Sequence, residues 1–199
     1  MNALKPVLAA ALCAALSGCL VPEKFTADAT FKPDGSYRYR FDGTVANAMV
    51  IAATRQKPGG LTDKDKAAMQ RELDKERQRP GIQQLKAIDD TRLALKFEDD
   101  FNPGPLGMKA ATYEVLQVSD KDWATRRVLT VTGPALKDKD RQALQELGIQ
   151  VAGKVSITLP PKAKVISHNA NGTPGLLSKA YTWTVGSLAD QPRIEFQLP

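Results

Sequence analysis

The residues of this 199-residue chain that could do chemistry are, first, carboxylates. Asp-Lys-Asp triplets stand at 63–65, 120–122 and 138–140. Paired carboxylates can ligate calcium, but an EF-type loop also needs a glycine, further oxygen ligands and a distant glutamate. None of the triplets has them. Two stand where helices are expected to start, and acids there meet the positive end of the helix dipole. The third is expected in a hairpin turn. Glu98, Asp99 and Asp100 form another acidic group. A glycosidase needs two carboxylates placed across a sugar, a pairing that spacing alone does not display. His168 is the single histidine, with Ser156 and Ser167 near it in sequence. Neither serine lies in a Gly-x-Ser-x-Gly elbow, and zinc wants several His or Cys ligands. A strand-end histidine bonded to a loop accounts for His168. Asn171-Gly172-Thr173 has the form of a glycosylation sequon but reads more simply as a turn. No catalytic set and no metal set emerges.

Cys19 is different, because its context is chemical. It closes Leu16-Ser17-Gly18-Cys19, after a lysine at position 5 and an unbroken apolar run over residues 7–16. A charged start, an apolar stretch of about 7–15 residues and a small-residue cleavage site define a secretory signal. A membrane span needs roughly 20 apolar residues, and this run stops short of that. The four residues resemble the bacterial lipobox, in which an aliphatic and two small residues precede the cysteine. Its sulfur would take a diacylglyceryl group, and the small side chains let the chain lie extended in the signal peptidase. Cys13 sits inside the apolar run without the small pair. The reading is a lipoprotein signal peptide over 1–18, removed on export, then lipid attachment at Cys19 and a short tether over 19–24. Two or more acyl chains anchor stably where one does not, each buried CH₂ contributing about 0.8 kcal/mol. Leu20, rather than Asp, follows the cysteine. By likeness to enterobacterial sorting, that favours the outer membrane where one exists.

The elements that must position any site come next. Residues 19–199 carry 27 basic and 22 acidic side chains, net +5. Mixed signs at that level describe a soluble surface, and no aromatic-studded basic run suggests nucleic acid. The length suits one domain, over 25–199. Cys13 and Cys19 are the only cysteines, so packing alone must stabilise that domain.

Alternation dominates the pattern. Phe25, Ala27, Ala29 and Phe31 share one face of a first strand. Pro33-Asp34-Gly35-Ser36 is a turn signal, and Tyr37, Tyr39 and Phe41 alternate with Arg38 and Arg40 beyond it. Residues 46–55 read as a short helix. Thr62-Asp63-Lys64-Asp65 resembles a capping box opening a polar helical insertion near 62–79. Leu93, Leu95 and Phe97 mark a strand, and 102–107 a loop. Residues 112–118 and 126–132 read as a hairpin around 119–122. A short helix over 138–147, with Ala143, Leu144 and Leu147 inward, stops at Gly148. Strands follow over 151–159, 164–168, 181–185 and 194–198. The expectation is α+β: a curved antiparallel sheet of about eight strands with two or three helices packed on it. The aromatic faces (Tyr37, Tyr39, Phe41; Tyr181, Trp183) either fill a core or line a cavity.

Three segments carry a family resemblance. They are Val155-Ser156-Ile157-Thr158-Leu159-Pro160, Ser167-His168-Asn169-Ala170-Asn171-Gly172 and Tyr181-Thr182-Trp183. Together they resemble the end of the LppM-like bacterial lipoproteins, where a strand ending in proline, an Asn-containing turn and a Trp-bearing strand follow one another. The leader and the hairpin with Asp34-Gly35 and Tyr37 fit that layout. The resemblance implies a curved sheet around a helix and lipid or glycolipid binding at the envelope. Some relatives have a C-terminal apolar helix as a second anchor; Pro199 ends this sequence without one.

The function expected is that of a membrane-anchored envelope lipoprotein on the periplasmic face. It is non-catalytic, without cofactor or nucleic-acid partner, and binds a lipid or other apolar ligand. The alternative is an accessory lipoprotein docking another envelope protein. A hydrolase is the third.

Overall fold

The structure, a computed structural model, describes residues 20–56, 61–102, 115–123, 126–176 and 178–199. Cys19, the leader before it, Gly59-Gly60, most of the 102–107 loop and residues 112–114 of the expected hairpin lie outside the described residues.

β1 (Leu20–Phe31) and β2 (Tyr37–Asn47) form a long hairpin. Its turn is the expected one: Gly35 takes φ +83°, and Asp34 Oδ1 accepts from the Ser36 backbone N–H and hydroxyl at 2.9 and 2.7 Å. A left-handed φ is cheap only for glycine. Further along β1, Glu23 is an extra residue between the pairs Pro22↔Val45 and Lys24↔Thr44. This bulge resets the alternation, so Pro22 and Phe25, three apart, share the inner face. Glu23 itself turns toward Arg92, which donates to both carboxylate oxygens at 2.7 and 3.0 Å.

β2 continues the sheet to β4 (Arg92–Phe101) and β3 (Ile82–Ala87). On the far side of β1 come β7 (Ala152–Thr158) and β9 (Ala180–Val185). The order is β3-β4-β2-β1-β7-β9, and the β1–β7 pair is parallel. A second sheet has the order β5-β6-β10-β8, from β5 (Gln117–Trp123), β6 (Arg126–Thr132), β10 (Arg193–Gln197) and β8 (Lys164–His168). The α+β class therefore holds. Among the described residues ten strands divide between two sheets, where about eight were expected in one.

The core joins the inner faces of the two sheets. Phe25, Ala27, Ala29, Phe31, Tyr39, Phe41, Leu95, Val155 and Ile157 meet Leu129, Val131, Ile194 and Phe196 in one cluster. The outer face of the larger sheet carries opposed ion pairs on β2 and β4: Arg38–Asp100, Arg40–Glu98 and Lys96–Asp42, at 2.9–3.0 Å. Exposed pairs contribute little energy. They do disfavour a slip of register, which would oppose like charges.

The helices are short. Asn47 Oδ1 accepts from the Val50 N–H and caps α1 (Ala48–Gln56). Thr62 and Asp65 make the expected capping box of α2 (Asp63–Glu76), and Leu73 is the residue α2 buries. α3 (Asp138–Glu146) ends in a Schellman motif: Gly148 N–H donates to Gln145, and Ile149 N–H to Leu144. Ile149 is buried beside Leu144 and Leu147, whereas Ala143 is exposed rather than inward. Among the described residues no helix is long and apolar enough to cross a membrane.

Two further expectations change. Residues 20–24, read as tether, begin β1 from Leu20 onward. The 120–122 triplet lies within β5 and not in a turn. Asp120 stands opposite Leu129 and pairs with the Arg127 guanidinium at 2.6 Å, which extends the ladder past the turn-forming residue types.

Candidate functional site

The structure places most of the sequence candidates in structural roles. Glu98 and Asp100 lie on the exposed outer face, paired with arginines. The hydrogen bond from Arg40 holds the Glu98 carboxyl below its usual range, and the bond from Arg38 does the same for Asp100. A glycosidase acid needs the opposite shift. Asp99 instead accepts from the Asp100 N–H at 2.8 Å. His168 Nδ1 accepts from the Ala170 N–H at 3.1 Å, and its ring lies 5.0 Å from that of Tyr181. Neither Ser156 nor Ser167 forms a hydrogen bond with His168 among those described.

The asparagines do hold structure. Asn169 Oδ1 accepts from Trp183 Nε1 and the Arg193 N–H at 2.7 and 2.8 Å. Asn171 Oδ1 accepts from the Thr184 N–H at 2.7 Å, and Gly172 bridges to Thr182. The 169–172 turn thus covers the outer edge of β9, an edge that would otherwise invite pairing. Tyr37, Tyr39, Phe41 and Trp183 are buried in the core, and Tyr181 packs half-buried against it. For these aromatics the core alternative holds.

The cavity lies elsewhere, at the end of the sandwich where β1 outruns its parallel neighbour. Pairing with β7 starts at Lys24↔Ala152, so Leu20 to Glu23 extend past it. The chain entering β7 cannot follow them, because it has just left the α3 Schellman turn. The space left is a pocket of about 290 Å³. Leu20, Val21, Pro22 and Phe25 form one wall, and Val45, Val155 and Val185 the strand side. Leu144 of α3, Val115 and Val151 close another side. The rim comes from two connections: Pro134 and Leu136 before α3, and Ser187, Leu188, Asp190 and Pro192 after β9. Those connections are tied together, since Gly133 N–H donates to Pro192 O at 2.8 Å and Gln191 Nε2 to Gly133 O at 3.1 Å.

The lining is nearly all hydrocarbon, and its two polar side chains are already used. Asp190 Oδ2 accepts from the Gly186 and Ser187 N–H groups at 2.7 and 2.9 Å. Ser187 Oγ accepts from the Ala189 N–H at 3.2 Å. Such a lining can desolvate an apolar chain. The pocket's volume sits at the small end of the range for ligand sites, about 300–1,000 Å³, which suits one chain rather than a whole two-chain lipid.

No family model and no curated protein matches the chain. Among solved structures, the folded domain of the Mycobacterium tuberculosis protein LppM, determined by NMR, is similar at 12% identity, with a TM-score of 0.36. That likeness covers 92% of this chain and 90% of that one. A score at this level does not establish a shared family.

Sequence reasoning missed the pocket residues. Pro22, Pro134, Leu136, Leu188 and Pro192 carry no motif, and they meet only through contacts between distant segments. One signal was available: Pro134 follows β6 and Pro192 precedes β10, and proline ends strand pairing.

Proposed function

We propose that the protein is a membrane-anchored envelope lipoprotein, lipidated at Cys19, that seats one apolar chain in the pocket at the open end of its sandwich. The observation that supports this reading most is the lining: hydrocarbon but for Ser187 and Asp190, which accept from neighbouring backbone N–H groups. Burial of an acyl chain contributes about 0.8 kcal/mol per CH₂. The role is binding, not catalysis. Docking of an envelope protein is less well supported. The large hydrophobics exposed among the described residues are Ile88, Ile166 and Leu176, on three separate segments, and single exposed apolar residues make no patch.

The test is native mass spectrometry of residues 20–199 incubated with envelope lipid extract. The core clusters lie wholly inside that span. The expected spectrum shows one acyl-chain ligand per protein. Leu188→Glu, a half-buried rim position on a connection, introduces a charge at the mouth. It should reduce the adduct at least tenfold while leaving the circular dichroism unchanged. An apo mass throughout, or equal adducts on both proteins, would count against the proposal.

A further inference from the structure

We infer that the chain seated in this pocket is the protein's own: an acyl group carried by Cys19 folds back into it. The inference rests on the pocket reading above and adds the identity of the occupant. Leu20, Val21 and Pro22 all line the pocket, so the wall begins at the residue after the lipobox cysteine. Consecutive Cα atoms are about 3.8 Å apart across a trans peptide. An acyl chain on Cys19 therefore starts one residue from the pocket wall. A tethered ligand meets its site at an effective concentration of at least the millimolar order. Free lipid, held in a bilayer, has no such advantage.

The consequence is regulatory. A lipobox cysteine carries at least two chains, and the pocket has room for one. Two chains in the membrane anchor stably, whereas one gives marginal, reversible binding. With one chain seated, a diacylated protein holds the bilayer by the other alone. An apolar ligand entering the pocket would displace the seated chain and return it to the bilayer. Ligand capture and firm attachment are then coupled through one cavity.

The cysteine content permits a direct test. Cys19 is the only thiol of residues 19–199, so alkylation of that chain is site-specific. One sample is reacted with N-ethylmaleimide and one with N-dodecylmaleimide, and both are titrated with the fluorescent fatty acid cis-parinaric acid. The ethyl adduct should take up one probe per chain. The dodecyl adduct should take up at least tenfold less, melt at a higher temperature and sediment as a monomer. Leu188→Glu should abolish the difference in melting. Equal uptake by both adducts would overturn the inference and leave the pocket reading standing. Blocked uptake in a dimer would overturn it too, by placing the chain in a second copy. No uptake by either adduct would overturn the pocket reading and this inference with it.

Discussion

At the scale of single residues, two contacts shape the pocket, and they differ in how far sequence could reveal them. Phe25 was legible as an inward strand residue. Its seat was not. A Cβ on Gly153 would stand 2.4 Å from Phe25 Cε1, so the ring lies directly on the β7 backbone. Gly153→Ala must therefore push the ring aside, and the nearest free space is the pocket. Overpacking of this kind costs about 1–3 kcal/mol. Urea unfolding should show that loss, and probe uptake should fall with it. The Glu23–Arg92 pair was equally hidden. The two residues are 69 apart, and Glu23 faces Arg92 only because it is the bulge residue of β1. Strict alternation over 20–31 cannot show a bulge, so it places Glu23 on the inner face with Phe25 and turns Pro22 to solvent. Cys19 stands apart from both: its reading rests on the leader alone and lies outside the described residues.

At the scale of elements, local chemistry was readable and partner choice was not. The α2 capping box and the α3 stop are complete within six residues each, which is why their residue types announce them. Gly148 takes φ +72°, a conformation that L side chains adopt at a cost of about 1–2 kcal/mol. Gly148→Ala should lose that amount in denaturant unfolding. Because Ile149 and Leu144 move with the turn, probe uptake should weaken as well. β3 shows the opposite case. Ile82 and Leu85 are three apart, a helical spacing, and the strand went unread. A bulge between Ile82 and Gln84 places both against Phe97 and Leu95 on one face. The β5 turn was misplaced for a related reason: Asp and Ser favour turns locally, but Arg127 draws Asp120 into the ladder.

At the scale of the whole molecule, the division into two sheets depends on contacts between strands far apart in sequence, such as β6 with β10 and β1 with β7. Alternation says which face of a strand is apolar and leaves open which strand it meets. That is why the α+β class was readable and the sandwich was not. The outer face offers a test of its electrostatics. Glu98 and Asp100 are held below their usual range by Arg40 and Arg38. A carboxylate depressed on folding adds stability that is full above its unfolded pKa and is lost as pH falls through the folded one. The urea midpoint should therefore hold from neutral pH down to the ordinary carboxylate range and fall below it. Arg38→Gln should make that acid loss shallower. If the open end of the sandwich takes one apolar chain, methyl NMR of residues 20–199 titrated with laurate will register it there. Saturable shifts are expected at Val21, Val45, Val155, Val185 and Leu188, complete at one laurate per chain. Shifts confined to exposed residues such as Ile88 and Ile166, without saturation, would contradict that reading.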